Sequence, residues 1–526
     1  MADIKHDSWR AHWKVFAACS VLILSPFQYG IDFGMIGGLQ AMVGFLRIFG
    51  YQTKKTAIGW NLTTERQQLI SSLMTLGAFI SSALAGVAAK YLGRRGCLWV
   101  ACVTCCVANI IMMTTENIGA LYVGRLVIGL ANGYFMVFSQ LYIQESSPAK
   151  YRGLFLTGFQ FFTSFGTLIG TIVDWATAKR PDKSSYLIPL GLIYVIPAVL
   201  AVGMLFIPES PRWLILQGRY EEGKKSLVWL RPDDYDVDAE AAEIRAAIER
   251  EKEMSTGVGP LDMIKNPVDR RRTILAVCAV TLQAASGSMF IIAYKAYFFT
   301  MAKVSDPFAM TNVLSTVGLL AIITNALIIV KFGRRRVLLM SGLMICGVLQ
   351  LIIAVVYHEQ PGKKTTGKII VALSSLYMFS YNGMIATYAW LAGGEIPTQR
   401  LRSYTFGLAA AIGFLFAWLT TFTAPYFINP ASLNWGPRYG FIWFPSCIIA
   451  ATWVFFFLPE VKGRTLEEID EMFEARLSAR KFAGYVCVGA VNLVDGDMRK
   501  DIGDEKDIMV LQSEQVAAET TVTSTA

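Results

Sequence analysis

Two ionisable side chains stand where few are tolerated. Asp32 lies inside an apolar run that opens near Val15, and Arg125 lies inside another. A charge at the centre of a bilayer costs about 2.5 kcal/mol or more, so an acid in such a run marks a functional site by default. Arg125 is the expected partner. Protonating Asp32 would release the guanidinium, and loss of the proton would restore the pair, which links charge pairing to conformation. A permanent salt bridge that fixes helix packing is the alternative. Gly30, Gly34, Gly37 and Gly38 flank Asp32 and let another helix approach closely.

Other chemistries find few candidates. The chain has three His, two of them near the N-terminus. Cys102, Cys105 and Cys106 include a Cys-x-x-Cys spacing, but no His or acid lies nearby, and they read as small apolar packing residues. Neither a glycine-rich phosphate loop nor a nucleophile elbow is present in the sequence. The expectation is a protein that is not an enzyme and uses no metal and no cofactor. Asn61-Leu62-Thr63 is a glycosylation sequon, with an unused chance triplet as the alternative.

The elements that must position these residues follow from composition. The chain is 54% hydrophobic and 17% charged, against about 25% charged in soluble proteins, which is what a lipid-facing surface requires. A net charge of +9 raises nucleic acid as a partner, but the basic residues sit in short loops between apolar runs, which suits inward loops and anionic headgroups instead. Runs long enough to cross a bilayer, about 20 residues each, occur near 15–39, 69–89, 97–114, 120–143, 155–174 and 187–207, then near 274–299, 311–331, 337–357, 369–392, 404–427 and 439–458. The first is too long for a signal-peptide core. Lys90, Arg94 and Arg95, Lys150 and Arg152, Lys331 and Arg334–Arg336, and Arg400 and Arg402 fall in loops on one side, with Lys179-Arg180 and Lys363-Lys364 as exceptions on the other. The positive side is expected to be cytoplasmic, with both termini there.

Three motifs recur in matching places of the two sets of six. Gly93-Arg94-Arg95 returns as Gly333-Arg334-Arg335; Glu145, Pro148 and Arg152 return as Glu395, Pro397 and Arg402; Pro208-Glu209 returns as Pro459-Glu460. Parallel repeats of this kind belong to transporter folds that bind substrate between halves. The predicted class is therefore all-α: a polytopic membrane protein of about twelve transmembrane helices in two six-helix halves, joined by a cytoplasmic helical linker. The divisions are a cytoplasmic N-terminus 1–14, a first half 15–207, a linker 208–273, a second half 274–458 and a cytoplasmic tail 459–526. In the linker, helical spacing runs over Arg219–Leu230 and Asp236–Met254, with acids at 233–238 as an N-terminal cap signal. The tail loses periodicity after Phe473 and its end is expected to be disordered, with Lys481, Lys500 and Lys506 solvated.

At these motifs the sequence resembles the sugar porter family of the major facilitator superfamily, in the style of its fungal members. The resemblance rests on Gly30–Gly38, Gly124-Arg125-Leu126, Glu145–Gly153, Pro208-Glu209-Ser210-Pro211-Arg212 and Leu458–Glu467, and covers roughly 15–475. It implies a central cavity and alternating access, with Asp32 and Arg125 as the proton-coupling pair. It implies that Gln160, Gln283 and Trp390 contact substrate, since a sugar offers only hydroxyls to amide, hydroxyl and aromatic groups. It implies that Arg94, Glu145, Arg152, Glu209, Glu395, Arg402 and Glu460 form an ion-pair network that gates the inner face. The chain departs from the family pattern at Ala284, Met289, Gly318 (with Asn325 further along) and Phe414, which leaves a more apolar cavity, and at Lys90 and Val330, where an acid usually precedes Gly-Arg-Arg. Tyr294, Tyr297 and Tyr388 read as core or interface aromatics. The expected partners are a sugar, polyol or related metabolite, protons and the lipid bilayer, but no nucleic acid. The protein is expected to be a multi-pass monomer of the plasma membrane. Export of a specialised metabolite and a non-transporting sugar sensor are the competing functions.

Overall fold

Gly93 shows how local geometry divides the chain. The structure, a computed structural model, describes residues 12–485 except 55, 57, 233–234, 256–258, 260, 330–333, 362, 463 and 465, and at 149–154, 156–157, 251, 254–255, 328–329, 399, 403, 466–467 and 483 it describes the backbone but not the side chains. Among the described residues, ten helices are long and apolar enough to cross a membrane. The longest, Thr64–Thr114, is broken at Gly93, whose φ of 73° and ψ of −175° suit glycine and no β-carbon-bearing residue. It therefore supplies two spans. With Ala149–Thr177, a helix of 29 residues, the described residues make twelve spans. The first six are Trp13–Leu39, the two arms of Thr64–Thr114, Ile118–Ser146, Ala149–Thr177 and Ser184–Phe206. The second six are Pro267–Met301, Pro307–Leu327, Arg335–Glu359, Lys364–Glu395, Arg402–Ile428 and Gly440–Phe457. Several run past the apolar windows read from sequence, because the polar ends continue the helix beyond the hydrocarbon core. The outer faces carry exposed Val103, Val107, Ile110, Val202, Phe206 and Ile449, as a lipid-contacting surface demands.

Small residues set the closest approaches. A β-carbon at Gly30 would lie 2.0 Å from the Thr163 carbonyl oxygen, and one at Gly34 would lie 2.6 Å from that of Thr167, so these two glycines press the first span onto the fifth. Asp32, two residues from each, projects from the other side of the helix toward the fourth span. Between the halves, the first span packs on the seventh, the second on the eleventh and the fifth on the eighth. The eighth and tenth spans contain π-helical stretches, Asn325–Ile329 and Tyr381–Ala386, a form that recurs at functional sites.

The linker contains helices Pro211–Leu216, Tyr220–Leu230, Val237–Ser255 and Asp262–Lys265. Ile215, Leu227, Ala241 and Ile248 form a small core of their own. The cap read from the acidic run is present: Asp236 Oδ1 accepts the Ala239 N–H at 3.0 Å, while 233–234 lie outside the described residues. The linker is fastened to the first half. Trp213 Nε1 donates to the Ala89 carbonyl (2.7 Å), Tyr142 Oη to that of Pro208 (2.8 Å) and Arg231 Nη1 to that of Ser146 (2.9 Å). Pro459–Ala526 forms a separate unit, with a helix at Leu466–Glu474 and the Phe473 ring 5.0 Å from that of Phe482. Lys500, Lys506 and the distal tail lie outside the described residues.

Candidate functional site

Asp32 and Arg125 meet as the sequence suggests. Arg125 Nη1 donates to Asp32 Oδ1 at 2.8 Å, and the two side chains are 1% and 2% exposed. The remaining Arg125 donors turn to the second span: Nε reaches the Ile70 carbonyl at 3.0 Å and Nη2 the Met74 sulfur at 3.2 Å. The other carboxylate oxygen, Asp32 Oδ2, accepts from Asn132 Nδ2 at 2.9 Å. Asn132 went unread in the sequence, although it lies seven residues from Arg125 and so on the same face of the fourth span. The pair is thus a triad, with both carboxylate oxygens bonded and no water needed to complete it.

The residues tied to substrate divide into a connected group and an isolated one. Gln283 Nε2 donates to the Ala386 carbonyl at 2.8 Å, at the end of the π-helical stretch of the tenth span. Trp390, one turn further on, has its ring centroid 6.0 Å from that of Phe406 and 6.1 Å from that of Phe414, beside the core residues Ala276, Val280 and Ala409. Gln283 and Trp390 therefore occupy successive turns of one packed interface between the seventh and tenth spans. Gln160 is half-buried on the fifth span, and its side chain makes no protein hydrogen bond among the described residues. Asn325 is committed to structure: its Nδ2 donates to the Gly383 carbonyl (2.7 Å) and its Oδ1 accepts from Tyr388 Oη (3.0 Å). The polar group missing at Gly318 is replaced from the opposite helix, since a β-carbon there would lie 2.6 Å from Asn382 Nδ2. Tyr294 donates to the Thr421 carbonyl at 2.8 Å, as a core tyrosine does.

On the face that carries the linker, the charges form one compact latch in each half. Arg94 holds Glu145 through two bonds, Nε to Oε2 at 2.8 Å and Nη2 to Oε1 at 2.6 Å. Ser210 Oγ donates to the same Oε2 at 2.5 Å, and Glu209 accepts the Arg94 and Arg95 N–H groups at 3.1 Å. Glu209 thus caps the third span where Gly93 starts it, which explains the spacing of the Pro-Glu-Ser-Pro-Arg run. Burial pushes the Glu209 carboxyl up, against the pull of the Ser210, Arg95 and Arg94 N–H groups. In the second half Glu395 pairs with Arg335, and Arg402 donates to the Gly394 carbonyl from Nε (3.0 Å) and Nη2 (2.7 Å). The repeat is offset here: Arg335, the second arginine of its motif, takes the part that Arg94, the first, takes in the other half. The Arg152 side chain and Gly333 lie outside the described residues. Glu460 accepts the Lys462 N–H at 3.1 Å. Replacing Glu145 by Lys would put a cation against Arg94 and strip Ser210 of its acceptor. Loss of such a charge-assisted bidentate pair costs about 1.5–3 kcal/mol, so transport is expected to fall on the order of tenfold or more at unchanged surface expression. Uptake set against surface labelling measures this, and normal transport would remove Glu145 from the gate.

At the opposite, far face the halves are stitched together. Asn429, at the end of the eleventh span and fully buried, accepts from Asn61 Nδ2 at 2.9 Å. It also donates to Gln67 Oε1 at 2.8 Å and to the Leu62 carbonyl at 3.0 Å. Tyr297 Oη donates to Asn61 Oδ1 at 3.2 Å, and the Thr64 and Ser432 hydroxyls lie 2.6 Å apart. Deeper in, a β-carbon at Gly37 would lie 2.6 Å from the Ala293 carbonyl oxygen, so the first and seventh spans touch along their backbones. Sealed at one end and latched within each half at the other, the molecule has the form of a two-half transporter closed on its far side. Asn61 belongs to this seam. It is 2% exposed, and its Nδ2, the atom a glycan would occupy, is the one that donates to Asn429.

Twelve membrane-spanning helices in two packed sets of six, a buried acid–arginine pair and a seam between the halves define the class: a multi-pass membrane protein with the major facilitator fold. The family model for "Sugar (and other) transporter" matches residues 18–473, and the chain belongs to that family. It is 29% identical over 485 residues to the major facilitator-type transporter ecdD of Aspergillus rugulosus, covering 89% of both chains. It is 27% identical to the low-affinity glucose transporter HXT1 of Saccharomyces cerevisiae, over 90% of this chain and 84% of that one. It is also 29% identical to the high glucose sensor RGT2 of the same yeast, covering 85% of this chain and 61% of the sensor. Among solved structures, the partially occluded inward-open xylose transporter XylE from E. coli superposes with a TM-score of 0.69 at 18% identity, covering 86% of this chain and 99% of that one.

Proposed function

We propose that the chain is a proton symporter for a sugar or related polyhydroxy compound, working by alternating access in the plasma membrane with the linker face in the cytoplasm. The observation that carries this reading is the buried Asp32, held at once by Arg125 and Asn132. A buried carboxylate that exchanges an arginine for a proton has two charge states and two sets of partners, so protonation is tied to the packing of the first, second and fourth spans. Gln160 offers a free amide and Gln283 a free amide oxygen to substrate hydroxyls, with Trp390 as an apolar wall. The relatives named for glucose transport and the matched family model support the substrate class.

The test uses purified protein in liposomes with an imposed proton gradient, screened with radiolabelled glucose, xylose, polyols and organic acids. With a transported probe in hand, Asp32→Asn is expected to abolish uphill accumulation while leaving downhill equilibration. Undiminished accumulation in that variant would sink proton coupling through Asp32. One observation favours a second reading, export of a less polar metabolite: Ala284, Met289 and Phe414 replace groups that would read hydroxyls. Efflux without uptake of every polyhydroxy probe would decide for it.

A further inference from the structure

A second buried acid lies in the far-side seam, where neither the pair at Asp32 nor the substrate face uses it. Asp174 is on the fifth span, 2% exposed, and neither of its carboxylate oxygens has a hydrogen-bond partner among the described residues. It presses on the first span so tightly that a β-carbon at Gly38 would lie 1.9 Å from Asp174 Oδ2. Lys295 of the seventh span, in the other half and itself 3% exposed, approaches it through Ser315 and Thr171, which lies one turn before Asp174. Gly38 on the first span, Thr171 on its own helix and Ser315 on the eighth span are neutral. Lys295 Nζ donates to Ser315 Oγ at 2.7 Å, and Thr171 Oγ1 approaches the same hydroxyl at 3.5 Å. The acid and the lysine therefore stand on opposite sides of the seam without being bonded to each other.

An ionised carboxylate held in apolar surroundings without a donor is too costly to persist; such a group neutralises or finds a partner. Opening the far side would admit water between the first and seventh spans and remove that constraint. We propose that Asp174 and Lys295 are a proton-operated latch of the far-side seam. As the seam closes, Asp174 takes one proton from far-side water. As it opens, the proton returns to the same water, and the freed carboxylate then faces the Lys295 ammonium across the gap. This proton does not cross the membrane, so the latch sets the pH dependence of opening and is separate from coupling at Asp32. The inference rests on the reading of the protein as an alternating-access transporter, but its test needs no substrate.

The experiment uses the full chain in lipid nanodiscs with Ser432→Cys as a seam reporter, labelled by a membrane-impermeant maleimide against the parent protein as background. Labelling is expected to slow severalfold from mildly alkaline to mildly acidic pH, because acid favours the closed seam. Asp174→Asn, a permanently neutral side chain, is expected to label slowly at both pH values. Asp174→Glu keeps the slope and serves as the folded control. Lys295→Met moves the slope toward alkaline pH, since the carboxylate loses its counter-charge. Asp32→Asn leaves the slope in place. A slope that survives Asp174→Asn, or that vanishes in Asp32→Asn instead, overturns the latch. Transport insensitive to a proton gradient, with the labelling slope intact, would overturn symport alone.

Discussion

Arg125→Leu is expected to destabilise the protein by about 3–5 kcal/mol, the cost of removing one member of a buried ion pair and leaving the other charged. The magnitude follows from where Asp32 would be left. Its side chain is 2% exposed, and without Arg125 its one remaining donor is Asn132 Nδ2. Water cannot reach it without opening the contact between the first and fourth spans. The double variant Asp32→Asn with Arg125→Leu removes the stranded charge and should recover much of the loss. Thermal unfolding of the purified single and double variants measures both. A single variant as stable as the parent would mean that Asp32 is already neutral when paired, and the salt-bridge description would fall.

Asp32 and Arg125 were legible because charge is so rare in lipid-length apolar runs that two such residues nominate each other. Asn132 was not, because a neutral amide in a helix costs little and raises no such alarm. The same reasoning failed at Lys295 and Asp174. Lys295 sits among Tyr294, Ala296 and Tyr297, and Asp174 lies three residues before the end of its helix, where a charge usually reaches the headgroups. The packing of Gly38 against Asp174 shows that this face of the helix end is buried, while Trp175 beside it is exposed.

The repeat was legible as a pattern, but the work of its residues was not. Glu209 and Glu145 were both read as members of an ion-pair network. In the structure Glu145 is one, whereas the Glu209 carboxylate mainly caps a helix through backbone N–H groups. That capping depends on Gly93 turning the chain to a positive φ, which no count of charges reveals. In the second half the helix begins at Arg335, so register, not motif order, selects which arginine reaches Glu395. Asn61 carries a role that the sequence does not announce. Beside its place in a sequon, its amide donates to Asn429, 368 residues away, and no local pattern announces a partner that distant.

Asn429→Ala should open the far side. Asn429 supplies the acceptor for Asn61 Nδ2 and the donors for Gln67 Oε1 and the Leu62 carbonyl. Each buried group left without its partner costs about 1–3 kcal/mol, so three of them penalise the sealed state by about 3 kcal/mol or more. In the open state the same three groups meet water and pay nothing comparable. The penalty therefore falls on one state alone, which is the condition for shifting a conformational equilibrium. At about 1.4 kcal/mol per tenfold, the sealed-to-open ratio should fall by roughly a hundredfold. Spin labels at the exposed Glu116 in the first half and Leu433 in the second report the separation across the seam. The parent is expected to show mainly the short distance and the variant mainly a longer one. An unchanged distance distribution would mean that the backbone contact of Gly37 with Ala293 closes the far side by itself, and that the amide cluster follows closure instead of holding it.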